Sequence, residues 1–150
     1  MNFISNFNFM NQYDDYSCGR ICAYMVTAAF GVKQQRKYLR RLLKTDFNMG
    51  TYQKDLVLAL RRFNFMCSVK TLATNDESPS EVKRLLKHYF ERGYIAVASV
   101  DNGEHWIVVR GLRKNRVYIA DPDPYGVRYH SLSKFYRRIK LGSLVFVKRR

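Results

Sequence analysis

Helices in the first half of the chain and strands in the second predict an α+β fold for these 150 residues, with N-terminal helices packed on a C-terminal antiparallel β-sheet. Three observations carry that reading. Before residue 93, apolar residues recur in blocks at helical spacing. From residue 94 onward the apolar runs are short and rich in Val, Ile and Tyr, as strands are. Two turn-forming clusters, Asp101-Asn102-Gly103 and Arg113-Lys114-Asn115, divide those runs as turns divide the strands of a meander.

Residues 1–11 read as an irregular or short-strand lead-in. Ser17 is a favoured N-cap residue, and the apolar run behind it predicts a first helix over 17–30, stopped at Gly31. A second helix over 33–44 carries Lys33, Arg36, Lys37, Arg40, Arg41 and Lys44 as one stripe, with Tyr38, Leu39, Leu42 and Leu43 opposite. After a loop over 45–50, Thr51 is placed to cap a third helix over 52–63, which offers Leu56, Val57, Ala59 and Leu60 for packing. Residues 65–72 read as a strand and 74–78 as a polar loop. Ser78-Pro79-Ser80-Glu81 is a helix start: an N-cap serine, proline at the first helical position and an acid at the third. That helix turns Val82, Leu85, Leu86 and Tyr89 to one face and ends at Gly93. Strands follow over 94–100, 105–112 and 116–120. Then come a proline-broken loop over 121–126, a short strand over 127–130, a short helix over 131–138 and a last strand over 143–148.

Hydrophobic residues make up 47% of the chain, enough for a globular core, and no repeat or composition break divides it, so residues 1–150 are expected to form one domain. Three cysteines are too few and too odd a number for a disulfide scaffold and fit a reducing, cytoplasmic setting. Residues 1–10 lack the basic start and apolar block of a signal peptide, and no apolar run is long enough to span a bilayer. Basic residues outnumber acidic ones 27 to 12, a formal charge of +15 that favours acidic surfaces or nucleic acid. The stripe over 33–44 is either a solvated helix face or a docking surface for an acidic protein or nucleic acid.

Candidate chemistry centres on Cys18. It opens a helix, and a helix N-terminus offers unpaired N–H groups and about half a positive charge, which favour thiolate over thiol. A free cysteine titrates near ~8.5, and at such sites the value falls to ~3.5–7.5. The alternative is a small buried residue that begins a core helix. Gly19 beside it has no side chain to keep a substrate backbone from the sulfur. Of the three histidines, His88 falls on the polar side of its helix and His130 has no evident partner. His105 opens the strand His-Trp-Ile-Val-Val just after a turn, a rigid position that suits a general base and equally a capped strand edge. If 105–112 and 116–120 pair through the 113–115 turn, Asp121 comes to the same edge as His105 and is able to orient the imidazole. Gln12, six residues before Cys18, is able to donate to an oxyanion together with the Cys18 backbone N–H. No metal or cofactor is expected: Cys22, one turn beyond Cys18, would give with His105 only three of four zinc ligands, and Cys22 and Cys67 read as core or half-buried.

The order Gln12, Cys18-Gly19, His105-Trp106-Ile107-Val108-Val109 and Asp121-Pro122, with Gly126 after it, resembles the papain-like cysteine peptidases. More narrowly it is similar to the C39 family, the double-glycine leader peptidases of bacteriocin processing. Gly50-Thr51 before the Leu56–Leu60 stretch and the tail from Phe135 to Val147 extend the likeness over nearly the whole chain. The resemblance implies a papain-like fold and a peptide or protein substrate. It implies Cys18 as nucleophile, His105 as base, Asp121 as orienting acid and Gln12 as the oxyanion-hole residue. Where the family usually has an acidic residue before its cysteine, this chain has Ser17. Two other functions fit the same features: a basic binding module on this scaffold, and an amidase or acyl transferase using the same residues with a different acceptor.

Overall fold

The computed structural model describes residues 9–10, 17–32, 36–43, 51–72, 78–123 and 126–150. Among them the order is α1 (Cys18–Ala29), α2 (Arg36–Leu43), α3 (Gln53–Arg62), β1 (Phe65–Thr71), α4 (Pro79–Phe90), β2 (Ile95–Val100), β3 (His105–Arg113), β4 (Arg116–Asp121), β5 (Gly126–Ser131), α5 (Leu132–Ile139) and β6 (Ser143–Arg149). These are the elements expected from the sequence pattern, most with ends moved by a residue or two; α2, expected over 33–44, is described over Arg36–Leu43.

Residues 18–27 of α1 are all buried, as a helix that is apolar on nearly every side must be. The Thr27 hydroxyl in its interior is satisfied by donating to Ala23 O and Tyr24 O at 2.9 and 3.1 Å. Gly31 ends the helix at φ +74°, a conformation that costs glycine little, and Val32 N–H reaches back to Thr27 O at 3.0 Å. Ser17 holds the N-cap position without the expected cap bond; its buried hydroxyl has no hydrogen-bond partner among the described residues. Thr51 does not cap α3 either. Tyr52 holds that position, and Thr51 is buried instead. Ser78 does cap α4, accepting from Glu81 N–H at 3.3 Å with Pro79 as the first helical residue.

The six strands form one antiparallel sheet in the order β1-β6-β2-β3-β4-β5. The run β2 to β5 is the expected meander; β6 returns to lie between β1 and β2. One face of the sheet packs Val97, Trp106, Val108, Val145 and Val147 against α1, α2 and α3. The other packs Ala98, Ile107, Val109 and Phe146 against α4 and α5 through Leu86 and Phe135. The helices thus cover both faces, with α4 and α5 on the second. That is why every residue of β2 is buried and the strand reads as unbroken apolar sequence rather than an alternating one. Each large core side chain, Phe135 or Phe146 for instance, contributes about 1.5–3 kcal/mol by leaving water.

On α2, Leu39 and Leu43 are fully buried and Arg41 is exposed; Lys33 and Lys44 lie outside the described residues. No helix among the described residues is long and apolar enough to cross a membrane.

Gly142 locks the start of β6. Its carbonyl accepts from Leu72 N–H at 2.9 Å, and a Cβ at this position would stand 2.1 Å from the Ser99 backbone oxygen. Backbone gives way less readily than a side-chain tip. Gly142→Ala is therefore expected to destabilise the chain by about 3 kcal/mol, and to lower the thermal midpoint by about 6–12 °C in a melt followed by circular dichroism.

Candidate active site

Three elements deliver the candidate residues to one end of the sheet. Cys18 is the first residue of α1, which packs across β3. His105 is the first residue of β3, placed there by the turn after β2, in which Asp101, Asn102 and Gly103 all take positive φ. Asp, Asn and Gly are the residues that tolerate this backbone best, so the turn was legible in the sequence. Asp121 is the last residue of β4.

The hairpin does bring His105 and Asp121 together, though not by simple opposition. Nearest the turn, Arg113 pairs with Arg116, but beyond a bulge at Arg110 the register shifts to Val109↔Ile119 and Val108↔Ala120. Continued one step, the shifted register sets Asp121 opposite Ile107. Residues opposite each other share a face, and so do residues two apart on a strand, so Asp121 shares a face with His105. Without the bulge, Asp121 would oppose Val108, whose side chain belongs to the other face. The diagonal reach is closed by His105 Nε2, which lies 2.6 Å from Asp121 Oδ1. That oxygen also accepts the backbone N–H of Asp123 at 3.0 Å, an Asx-type turn that holds the carboxylate at the strand end.

Nε2 is thus committed to the carboxylate, which leaves Nδ1 as the ring nitrogen available to Cys18. Burial alone would lower the His105 pKa. Hydrogen bonds to Asp121 and Cys18, and their negative charge, outweigh it and push the value up to about 9. Asp121 has the opposite balance: burial raises its pKa, but the bond from His105, the imidazolium charge, the Asp123 N–H and Arg138 carry it below the ordinary carboxylate value. Cys18 is 4% exposed, Asp121 2% and the His105 side chain 15%, so the group opens to solvent chiefly on its imidazole side.

The other thiols differ. Cys22 is fully buried, and burial, then the nearby Cys18 and Asp121, raise its pKa well above the usual thiol value. Half-buried Cys67 is pushed up to about 11, mainly by burial. Among the described residues no group of three or more His, Cys, Asp or Glu is placed to hold a metal ion. Gln12 lies outside the described residues, as do Asp14 and Asp15.

Gly19 has a different place from the one its small size suggested. A Cβ there would stand 2.6 Å from Thr51 Cβ and 3.0 Å from Trp106 Cδ1. The missing side chain lets α1 dock against β3 and the segment before α3, and Trp106 Nε1 donates to Thr51 O at 3.0 Å across the same contact. Gly19, Thr51 and Trp106 together fix the helix end that carries Cys18.

Sequence reasoning missed the groups behind Asp121. His130 is buried and accepts a hydrogen bond at Nε2 from Arg138 Nη1 at 3.0 Å. Burial, then the cations Lys134, Arg138 and Arg128, lower its pKa to about 4. Arg138 also grips Asp101 with Nε and Nη2 at 3.0 and 2.7 Å. One signal pointed there: α5 buries Leu132, Phe135 and Ile139, so Arg138, three residues past Phe135, borders the buried stripe. His88 is exposed, as expected.

The sequence profile of the peptidase C39 family matches residues 6–150. A curated relative, the lactococcin-A transport/processing ATP-binding protein of Lactococcus lactis, is 32% identical over 130 residues, 85% of this chain. The transport/processing protein ComA of Streptococcus pneumoniae is 29% identical over 124 residues, 82% of this chain. The match covers only 16% of either relative's length. Among solved structures, a double-glycine-motif protease from an AMS/PCAT transporter, in complex with its leader peptide, superimposes with a TM-score of 0.75 at 16% identity, over 98% of both chains. The peptidase domain of Streptococcus ComA does so with a TM-score of 0.73 at 22% identity, over 97% of this chain and 100% of that one. These two share the papain-like α+β fold of this chain. By its profile match over nearly all its length, and by its identity to the lactococcin transporter's segment, the chain belongs to the peptidase C39 family of cysteine peptidases.

Proposed function

We propose that this chain hydrolyses a peptide bond in a peptide or protein substrate, with residues 1–150 acting as one peptidase domain. Cys18 is the nucleophile, His105 the general base and then acid, and Asp121 the carboxylate that orients the imidazole. Gln12 and the Cys18 backbone N–H are the oxyanion donors. The observation that carries the reading is the 2.6 Å bond between His105 and Asp121, made by a ring whose other side is hydrogen-bonded to Cys18. Gln12 rests on its spacing from Cys18 and on the family resemblance.

The proposed steps use each of these residues once or twice. Cys18 passes its proton to His105, and a thiolate–imidazolium pair results, stabilised by Asp121 behind the ring. The thiolate attacks the scissile carbonyl, a C–S bond forms, and the oxyanion is held by its two donors. As the C–N bond breaks, His105 gives its proton to the leaving amine. Water, activated by the now neutral imidazole, attacks the thioester carbonyl; the C–S bond breaks, the carboxylic acid product leaves and the proton held by His105 returns to the sulfur.

The AMS/PCAT double-glycine-motif protease bound to its leader peptide supports a peptide substrate, cut at a small-residue site. A thiolate nucleophile and three free cysteines suit a reducing compartment such as the cytosol. Acyl transfer to an amine uses the same residues, and product analysis with water and with amines as acceptors separates it from hydrolysis.

Iodoacetamide is expected to label Cys18 well ahead of Cys22 and Cys67, whose raised pKa values leave few thiolates at neutral pH. His105→Ala should slow that labelling; equal rates at all three cysteines in the native protein would sink the assignment. The imidazolium half of the pair is lost as pH rises through about 9, so the basic limb of kcat/KM on a leader-type peptide should fall there. Asp121→Asn removes a hydrogen bond and a charge that raise the His105 value. It should therefore move the basic limb to lower pH and reduce the maximum by about 100-fold, with a fold unchanged by circular dichroism.

A further inference from the structure

The face of Asp121 that turns away from His105 meets a second ionic layer. Oδ1 is fully used by His105 Nε2 and the Asp123 N–H. Oδ2 faces two cations, Arg138 Nη1 at 3.7 Å and Arg128 Nη2 at 3.8 Å. Arg138 is anchored on two sides. Its Nε and Nη2 form a fork on the two oxygens of Asp101, and the Asp101 backbone N–H donates to the Arg138 carbonyl at 2.9 Å. Its Nη1 donates to His130. An arginine cannot accept, so His130 Nε2 must, and the proton of the neutral ring sits on Nδ1. The Arg138 side chain is 16% exposed, so this is not a solvated surface pair of little worth. Nε, Nη1 and Nη2 each make a hydrogen bond, which restrains the plane in which Nη1 meets Oδ2.

We propose that Arg138 is a positioning residue for the Asp121 carboxylate: clamped by Asp101 and His130, its guanidinium holds Oδ2 so that Oδ1 stays aligned on His105. The inference rests on the Cys18–His105–Asp121 reading and extends it by a layer. A carboxylate bonded through one oxygen alone is able to rotate about its last torsion, and a misaligned Oδ1 would release the imidazole from the orientation Cys18 needs. The clamp joins three chain segments that end near one another: the turn after β2 through Asp101, β5 through His130, and α5 through Arg138 itself. Lysine cannot substitute, because a single ammonium does not span Asp101 in bidentate fashion and also reach Asp121.

The charged groups around His105 set what a pH profile reads. Cys18 faces the ring from α1 and Asp121 from β4. Asp101 lies beyond them at the turn, Arg128 and His130 on β5, and Lys134 and Arg138 on α5. Arg138→Lys keeps the total charge of this set, so a change in the profile reports alignment rather than charge.

The test is the rate of Cys18 alkylation by iodoacetamide in the folded protein, read by mass spectrometry of the Cys18 peptide across both limbs of the pH profile. Thermal midpoints are recorded alongside. In Arg138→Lys the plateau rate should drop roughly tenfold, and the basic limb should move to lower pH, because a loosened Asp121 no longer supports the imidazolium. Asp101→Asn leaves Arg138 in place and removes its anchor; it should move the limb the same way by less, and it carries the test if Arg138→Lys fails to fold. A lowered thermal midpoint with plateau and limbs unchanged would make Arg138 a tether between α5 and the β2–β3 turn and overturn the proposal. A wild-type profile with no plateau would sink the triad reading and this inference with it; a normal wild-type plateau that neither variant alters sinks the Arg138 assignment alone.

Discussion

The arrangement at the end of the sheet depends on one hydrogen bond, from His105 to Asp121, and that bond depends on one extra residue. The bulge at Arg110 shifts the β3–β4 register by a residue between the turn and the strand ends. A one-residue slip exchanges the faces of every side chain beyond it. With the bulge, His105 and Asp121 share a face and bond at 2.6 Å. Without it, the carboxylate would be directed toward the α1 side while the imidazole kept the other. Bulges bend strands and re-aim side chains next to functional sites, and here the re-aimed residue is Asp121, eleven positions after the bulge.

The same edge sorts the titratable groups by environment. Cys18 stands at a helix start beside an imidazole that remains protonated up to about 9, whereas Cys22, one turn further along α1, is enclosed by core side chains that penalise a thiolate. His105 and His130 diverge in the same way. His105 gains a carboxylate and a thiol as neighbours and its pKa rises. His130 gains three cations and burial, and its pKa falls to about 4. Two histidines in one small region are thus driven to opposite protonation states at neutral pH, one able to hold a proton and one fixed as an acceptor.

Much of this was legible in the sequence where the signal is local. Ser78-Pro79-Ser80-Glu81 starts α4 because cap chemistry acts within four residues, and Asp101-Asn102-Gly103 turns because those residues tolerate positive φ. Cys18, His105 and Asp121 were singled out as candidates from a helix start, a strand start and a strand end. What was not legible is non-local. The insertion of β6 between β1 and β2 leaves no trace in periodicity. Nor does the bulge, since Val109-Arg110-Gly111 reads as ordinary strand. Thr51 looked like a cap and Gly19 like a clearance for substrate. Both serve the docking of α1 on β3, which only the three-dimensional contact reveals. Arg138 was one basic residue among 27, and no local pattern marks the one that pairs inward.

Desolvation explains why such an inward pair is needed. A carboxylate 2% exposed has lost nearly all its water, and a buried charge left without partners costs several kcal/mol. His105 offsets that cost on one oxygen only. The strand end supplies a backbone donor to the same oxygen, and Arg138 and Arg128 supply charge beside the other. Arg138 is partly buried in its turn, and Asp101 and His130 accept hydrogen bonds from it. The chain of compensation ends at Asp101, whose side chain is 43% exposed and keeps part of its hydration. The ionic layer therefore runs from solvent at the β2–β3 turn, through α5, to the imidazole beside Cys18. It allows a full negative charge to sit dry behind the ring, where the low dielectric makes its hold on the imidazolium strongest.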